Sequence, residues 1–191
     1  MTDIVITGLC KRYGELVVLD DFSAVFPAGR ITCLMGRSGR GKTTLLRILL
    51  GLERADGGVI EGLPRRFSAV FQEDRLCDEL SAAENVKLAA PRRTAQEIGA
   101  AFSALLLDAE AQKKPASELS GGMRRRVAIA RALLAEGEVL VMDEPFKGLD
   151  EKTRDAVIAF VKEAVAGRTV ILVTHDEEDV RALDATLLRM E

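Results

Sequence analysis

Eight consecutive residues have the types and spacing that phosphate binding requires. They are Gly36, Arg37, Ser38, Gly39, Arg40, Gly41, Lys42 and Thr43. The glycines let backbone N–H groups curl around a phosphate without Cβ clashes, and a helix that starts there adds the positive end of its dipole. Lys42 supplies a charge for the β- and γ-phosphates, and the hydroxyl of Thr43 can ligate Mg²⁺. The run fits G-x-x-x-x-G-K-[ST] in full and predicts a nucleoside triphosphate site, which we extend to Thr44.

Two acidic residues form a second candidate site. Asp143 and Glu144 come directly after the apolar run Val139–Met142. Ligands of open α/β sheets bind at the carboxyl ends of strands, so Asp143 is placed to hold Mg²⁺ through its water shell. Glu144 is placed to polarise an attacking water. The alternative is a strand that simply ends at a polar turn, and the phosphate-binding pattern upstream favours the Mg²⁺ site.

A further anion site is predicted at Ser120-Gly121-Gly122, just before a predicted helix. A hydroxyl and free backbone N–H groups at a helix N-terminus can bind a phosphate. The alternative is an ordinary N-cap, because serine is a favoured residue at that position. Taken alone, the tripeptide favours the ordinary cap.

The elements that must position these residues alternate between strands and helices. Short apolar or β-branched runs predict strands, and segments with helical periodicity predict helices. The predicted strands are 4–7, 17–19, 22–26, 31–35, 59–60, 68–71, 139–142, 170–173 and 186–188, and the predicted helices are 42–50, 82–89, 95–106, 121–135, 151–165 and 176–183. The alternation predicts an α/β fold with helices on both faces of the sheet. An alanine- and leucine-rich stretch from about Asp74 to Ser117 predicts a helical insertion.

Length and composition fit one large domain or two small ones without a membrane span. The chain has 191 residues, and its net charge of −3 gives no overall positive field to attract nucleic acid. Three cysteines without C-x-x-C spacing argue against a disulfide framework or zinc site and favour a reducing compartment. The first residues do not fit a signal peptide. No stretch approaches 18 continuous apolar residues, so we expect any membrane role to come through a partner. The basic clusters Arg92-Arg93 and Arg124–Arg126 are interpreted as solvated helix faces.

The order of these motifs resembles that of the ATP-binding-cassette (ABC) ATPase family. Gly36–Thr43 matches its Walker A loop, Leu119–Gly122 its signature, and Asp143-Glu144 its Walker B aspartate and catalytic glutamate. Three further matches complete the order: Gln72 as the Q-loop glutamine, Gly148–Asp150 as the D-loop, and His175, the only histidine, as the switch histidine. The resemblance spans roughly residues 3–190. It implies a P-loop NTPase core with a mixed sheet, an N-terminal antiparallel β subdomain and an inserted α-helical subdomain.

The resemblance also implies the domain limits and the roles of single residues. Residues 1–191 form one cassette, in which 1–73 and 137–191 are the α/β core and about 74–136 the helical subdomain. The implied catalytic residues are Lys42, Gln72, Glu144 and His175, and the implied Mg²⁺ ligands are Thr43, Gln72 and Asp143. The implied ATP contacts are Tyr13 under the adenine, Gly36 to Thr44, Ser120, Gly121, Gly122 and Asp150.

Cassettes of this family work as head-to-tail dimers, with ATP between the Walker A loop of one subunit and the signature of the other. This arrangement accounts for a spare anion site at Ser120 in a chain that already has a complete phosphate loop. The expected partners are a second copy or a paralogous cassette, and transmembrane permease subunits, whereas nucleic acid is not expected. The permease would hold the chain on the cytoplasmic, inner face of the cell membrane. ATP binding would close the dimer, and hydrolysis would release it.

Two departures from the family pattern are visible. Met123 replaces the usual glutamine of the signature, at a tolerant position where we expect activity to survive. Phe146-Lys147 replaces small residues before Gly148, a change expected to adjust the dimer contact without removing a catalytic group. The segments Phe71–Leu76, Ala82–Val86 and Glu144–Asp150 resemble the nitrate, sulfonate and taurine importer branch. The short stretch after His175 leads us to expect no regulatory C-terminal domain.

The leading hypothesis is therefore the ATP-hydrolysing subunit of a transporter, and three alternatives stay open at this point. A soluble ABC ATPase of translation or DNA repair usually carries two cassettes or a long coiled-coil insertion, which 191 residues do not accommodate. A non-catalytic nucleotide-binding regulator would not need Lys42, Asp143, Glu144 and His175 together. A P-loop kinase would have no reason to keep Ser120-Gly121-Gly122 or His175.

Overall fold

The computed structural model describes residues 2–190, which fold into alternating strands and helices. The strands are β1 (Ile4–Tyr13), β2 (Leu16–Phe26), β3 (Ile31–Gly36), β4 (Gly57–Glu61), β5 (Phe67–Val70), β6 (Val139–Asp143), β7 (Thr169–Val173) and β8 (Thr186–Met190). The helices are α1 (Lys42–Leu49), α2 (Ala82–Ala89), α3 (Ala95–Ala104), α4 (Gly121–Leu134), α5 (Glu151–Ala164) and α6 (Glu177–Ala182). Two short 3₁₀ turns, Ala111–Lys113 and Ala116–Glu118, lead into α4.

The strands form two sheets. Five of them make a parallel sheet in the order β5-β6-β7-β3-β8, and an antiparallel sheet has the order β2-β1-β4. The predicted α/β fold with both parallel and antiparallel strands is confirmed, and each type of pairing has its own sheet. Because the order of the parallel sheet differs from the chain order, helices must cross over it between strands.

The central strands of the parallel sheet are buried on both faces, and their alternate residues enter two different cores, whereas the edge strand β8 is largely exposed. Leu140 and Met142 of β6 pack with α2 to α5, whereas Val139 and Val141 pack with α1 and the antiparallel sheet. Strand residues alternate between faces with a period of two, so burial of both faces requires the continuous apolar runs that predicted these strands. The two cores together fix the sheet edge that carries the polar residues.

Helices α2 and α3 begin at well-capped residues. The side chains of Ser81 and Thr94 make capping boxes with Glu84 and Glu97 at the starts of α2 and α3. Such reciprocal bonds satisfy backbone N–H groups that have no partner inside the helix. These local signals explain why the middle of the chain forms short helices at the predicted positions. In residues 2–190, no helix combines the length and apolar character needed to cross a membrane.

The N-terminal strands are longer than predicted. The expected strand 4–7 extends to Tyr13 as β1, and the expected strands 17–19 and 22–26 are one continuous strand, β2. The β1–β2 register shifts between Ile6 and Leu9 and again near Lys11, and such irregularities interrupt the alternation on which the prediction relied. The extension of β1 brings Tyr13 towards the phosphate loop.

Candidate nucleotide-binding site

The predicted site residues follow four neighbouring strands of the parallel sheet. Gln72 follows β5, Asp143 ends β6, His175 follows β7, and Gly36 ends β3. Since β5, β6, β7 and β3 are adjacent and parallel, their carboxyl ends share one edge. Residues that are far apart in sequence therefore gather in one place, as in other open α/β sheets.

The loop between β3 and α1 is shaped as an anion cradle. Gly41, which precedes α1, has φ of 80°, and an added Cβ there would lie 2.8 Å from the backbone oxygen of Val18. Glycine is therefore required by both conformation and space. No side chain caps α1, so the N–H groups of its first turn have no side-chain partner. Free N–H groups at a helix N-terminus are suited to hold phosphate oxygens.

Lys42 is buried inside this loop with its charge held close to the backbone. Its Nζ donates hydrogen bonds to the carbonyl oxygens of Gly36 and Arg37, at 2.8 and 2.9 Å. Burial lowers the pKa of Lys42, although the charges of Glu144 and Asp143 oppose that shift. The loop thus presents a fixed ammonium group next to its N–H groups, which is the charge that triphosphate binding needs.

Thr43 and Asp143 meet directly, although they lie 100 residues apart. The Thr43 hydroxyl Oγ1 donates to Asp143 Oδ2 at 2.8 Å. Asp143 is only 5% exposed, and this burial raises the pKa of its carboxyl even though the hydrogen bond from Thr43 acts against it. A hydroxyl and a carboxylate so close together fit Mg²⁺, which takes few protein ligands and completes its shell with water and phosphate oxygens.

Gln72 lies beside Thr43 and Asp143. It lines one small cleft together with Thr43 and Asp143, and Phe71 and Val141 form part of the apolar wall. The structure therefore brings together the three residues that the sequence assigned to Mg²⁺. Gln72 itself is exposed, so its amide is free to face a ligand.

Glu144 contacts two side chains, those of His175 and Lys147. His175 Nε2 lies 2.8 Å from Glu144 Oε1, and Lys147 Nζ lies 2.8 Å from Glu144 Oε2. Burial alone would raise the pKa of Glu144, but Lys147 and His175 outweigh it and leave that pKa below its ordinary value. Glu144 also has φ of 47°, a backbone conformation that is uncommon for residues other than glycine. The predicted catalytic carboxylate and the predicted switch histidine are thus in direct contact.

The residues on either side of His175 belong to a network that the sequence analysis missed. The neighbouring Thr174 hydroxyl donates to Asp179 Oδ2, and Arg154 of α5 pairs with Asp179 and Asp176. Burial raises the pKa of Asp179, which is 4% exposed, and the bonds from Thr174 and Arg154 act against that shift. Only the acidic character of 176–179 was visible in the sequence, and it gave no sign of a partner on another helix.

Tyr13 lies at the end of β1, next to the phosphate loop. Its ring is largely exposed, and its hydroxyl hydrogen-bonds to Glu53, which raises the pKa of the tyrosine. The side chain of Thr44 in α1 also hydrogen-bonds with it. An exposed ring beside α1 suits the predicted stacking under a nucleotide base.

The signature residues are not part of this group within one chain. Ser120 caps α4, with its Oγ accepting from the N–H of Met123 at 3.3 Å, and Ser120 and Gly121 are exposed. Ser120 and Gly121 line neither the cleft at Thr43 nor the one at Gly36 and His175. Asp150 is engaged as the N-cap of α5, where the hydrogen bond from Thr153 lowers its pKa.

The interpretation of Arg124–Arg126 as a solvated helix face is wrong. Arg125 is 8% exposed and donates to the carbonyl oxygens of Phe71 and Gln72. Arg124 donates to the carbonyl of Ala116, and Arg126 to those of Leu105 and Leu106. Every residue has a backbone carbonyl, so the sequence does not show which carbonyls will accept hydrogen bonds from arginine side chains. A run of arginines therefore looks the same whether its guanidinium groups face solvent or bind loop carbonyls.

Known proteins that resemble this chain are ATP-binding proteins of transporters. A family model described as "ABC transporter" matches residues 19–147. The chain is 43% identical to an aliphatic sulfonates import ATP-binding protein, SsuB 1, of Nocardia farcinica (strain IFM 10152), over 96% of this chain and 76% of that protein. It is 41% identical to a sulfate/thiosulfate import ATP-binding protein, CysA, of Burkholderia mallei (strain ATCC 23344), over 92% of this chain. The chain spans 56% of the length of that CysA protein.

Solved structures with the same fold include nucleotide-bound forms. The chain superposes with a TM-score of 0.85 on the dimeric structure of a bacterial ABC transporter cassette, at 27% identity, covering 97% of this chain and 94% of that one. A post-hydrolysis state of the same cassette, bound to ADP and Pi, matches with a TM-score of 0.84 and 25% identity, covering 98% and 94%.

The contact between Thr43 and Asp143 predicts that Mg²⁺ affinity and nucleotide affinity can be separated. Thr43→Val keeps the shape of the side chain but removes a metal ligand, so we expect nucleoside triphosphate affinity in Mg²⁺ to fall about tenfold, equivalent to ~1.4 kcal/mol. Without Mg²⁺ the affinity should stay within about twofold of wild type. Equilibrium titration with a fluorescent triphosphate, with Mg²⁺ or with a chelator, measures both.

Thr44→Val is the matched control, because Thr44 is the next residue of α1 and contacts Tyr13 instead of Asp143. It should change the two affinities by the same factor. If Thr43→Val also weakened both equally, Thr43 would not be a metal ligand.

Proposed function

The chain belongs to the ABC transporter family, and we propose that it hydrolyses MgATP at the interface of two cassettes to drive a separate membrane permease. The observation that carries this proposal is the division of the phosphate-binding groups into two places. Lys42, Thr43 and Asp143 meet at the sheet edge, whereas Ser120 and Gly121 are exposed at the start of α4. A second anion site that faces outward needs phosphates brought by another molecule.

Gly121 supports an outward-facing role for this second site. Its φ is not positive, and an added Cβ would meet no atom within 4 Å. Neither backbone conformation nor packing inside the chain therefore calls for glycine at this position. A glycine does allow a ligand or a partner surface to approach the backbone N–H groups closely. The similarity to a dimeric cassette supports a second copy, or a paralogous cassette, as that partner.

Within the shared site, the side chains at the sheet edge divide the work of phosphoryl transfer. Lys42 and the N–H groups of α1 would bind the β- and γ-phosphates, and Ser120 to Gly122 of the second cassette would contact the γ-phosphate from the other side. Thr43, Asp143 and Gln72 would hold Mg²⁺, which neutralises charge on the phosphates when bound. These interactions position the phosphates and neutralise their charge, which is most of what the reaction needs.

Glu144 and His175 would act on the attacking water. Glu144 orients the water and accepts its proton as the new P–O bond forms, while the bond to the bridging oxygen breaks and ADP leaves with the electron pair. His175 would turn from Glu144 to the γ-phosphate. Since His175 now occupies one oxygen of Glu144, that movement would also free the carboxylate for water.

The cassette organisation, the location and the cargo are parts of the same proposal. Residues 1–73 and 137–191 serve as the nucleotide-binding core and about 74–136 as the helical subdomain with the signature. The chain is cytoplasmic and held on the inner face of the membrane by its permease. The names of the two relatives describe import of sulfate or thiosulfate and of aliphatic sulfonates, and they support import of a small anion such as sulfonate or nitrate.

The Glu144→Gln variant tests the catalytic assignment. The amide cannot accept the proton of water, so we expect kcat to fall by about 10²–10⁴-fold, the range of general-base contributions. ATP binding should persist, and ATP-bound dimers should accumulate and be visible by size-exclusion chromatography with light scattering. Glu163→Gln, an exposed site at the far end of α5, is the control and should keep wild-type kcat. Wild-type hydrolysis by Glu144→Gln would refute the role of Glu144.

Lys147 offers a second test, because it engages the carboxylate that must receive the water. Lys147→Met should raise the kcat of the free cassette by up to about fivefold, a modest change because the lysine is 64% exposed and exposed ion pairs are weak. Steady-state hydrolysis at saturating ATP measures it, with Lys152→Met as the charge-matched control on α5. A fall in kcat would instead make Lys147 a participant in hydrolysis.

A further inference from the structure

Two arginines of α4 hydrogen-bond to the backbone of the segment that carries Gln72. Residues 71–75 lie outside every helix and strand. Arg125 Nη1 donates to the carbonyl of Phe71 at 2.7 Å, and its Nη2 donates to the carbonyl of Gln72. Arg131 donates to the carbonyls of Asp74 and Arg75, at 2.8 and 2.7 Å. Four of the five carbonyl groups in the segment thus accept from one helix.

Of these two arginines, Arg125 is the one that binds the carbonyl of Gln72 itself. A planar guanidinium that binds two successive carbonyls fixes the orientation of the peptide planes on both sides of the residue, and with them the direction of its side chain. Asp74 lies 3.2 Å from Arg125 Nε, so a carboxylate of the same segment holds the guanidinium in place. The Arg125 side chain is only 10% exposed, and water does not compete for these bonds.

The same helix begins at the signature. Ser120 is the N-cap of α4, and Arg125 lies one and a half turns further on. Gln72, whose carbonyl Arg125 binds, lines the cleft that contains Thr43 and Asp143. Arg125 therefore joins the element that carries the outward-facing anion site to the residue that faces the metal ligands.

We propose that Arg125 is a positioning residue for hydrolysis, which sets Gln72 against the Mg²⁺ site and makes its placement follow the orientation of the signature helix. The inference rests on the proposed function, since it assigns Gln72 a part in Mg²⁺-dependent hydrolysis. It adds a residue that touches neither nucleotide nor metal. Its effect must therefore fall on the metal and on kcat, and not on the binding of ATP when Mg²⁺ is saturating.

Arg125→Gln is the test. We expect kcat to fall about ten- to a hundredfold, because small misplacement of a site group has effects of that size, while KM for ATP at saturating Mg²⁺ stays within about twofold. The Mg²⁺ concentration for half-maximal rate should rise. Arg125→Lys offers one donor head in place of the two-pronged guanidinium and should restore kcat only in part. Hydrogen exchange of the amides of 72–76 should accelerate in Arg125→Gln, whether or not nucleotide is present.

Arg168→Gln is the matched control for loss of an arginine that binds backbone carbonyls, although Arg168 is half-buried and Arg125 is buried. Arg168 also donates to two backbone carbonyls, those of Leu133 and Gly137, but it lies before β7 and away from Gln72. It should lower the urea midpoint of unfolding and leave kcat, the Mg²⁺ dependence and exchange of 72–76 unchanged. If Arg125→Gln behaved like Arg168→Gln, or like wild type, the positioning role would be overturned.

The outcomes separate this inference from the proposed function. If wild type hydrolysed ATP and Glu144→Gln did not, an unchanged Arg125→Gln would refute the inference alone. If wild type showed no hydrolysis, the proposed function would fail, and hydrogen exchange of 72–76 would still decide whether Arg125 holds Gln72.

Discussion

Parallel pairing of neighbouring strands is the constraint on which the site depends. Because β5, β6, β7 and β3 run in the same direction, the residues that follow them emerge at one edge. The hydrogen bond between Thr43 and Asp143 then ties α1 to the end of β6, although β3 and β6 are separated by β7. Two buried faces hold the sheet rigid, so these polar side chains are placed by the cores and not by loops alone.

Under the proposed function, this edge is half of a shared site. Its cationic loop and carboxylates would bind MgATP, while Glu144 is held by His175 and Lys147. The proposed second anion site lies at the start of α4, and Arg125 links that helix to Gln72. Control of hydrolysis would then lie in the contact between two cassettes, where a signature helix from one copy completes the site of the other.

The sequence predicted the elements that obey simple periodicity, and it predicted the site wherever side-chain type alone carries the chemistry. The order of strands and helices is confirmed, because apolar runs of β6 and β7 are buried on both faces. The alternation of residue types does not reveal which strands pair, so the strand predicted at 4–7 ended well before Tyr13, where β1 ends. It also missed Arg125, Arg154 and Lys147, whose roles come from partners distant in sequence or from the unusual backbone of Glu144. The effect expected for Lys147 was a dimer contact, and the structure gives it a contact with Glu144 as well.

ATP retention by mixed dimers tests directly whether two cassettes share one ATP. Lys42→Ala removes the charge of the loop, and Ser120→Asp repels phosphate while still capping α4, because aspartate is as good a cap as serine. Both changes are made in the Glu144→Gln background, and retained radiolabelled ATP is measured for each protein and for their mixture. If Lys42 of one copy and Ser120 of the other grip the same ATP, neither protein alone retains nucleotide and each mixed dimer retains about one ATP. A mixture that retains no more than its separate components would contradict the shared site.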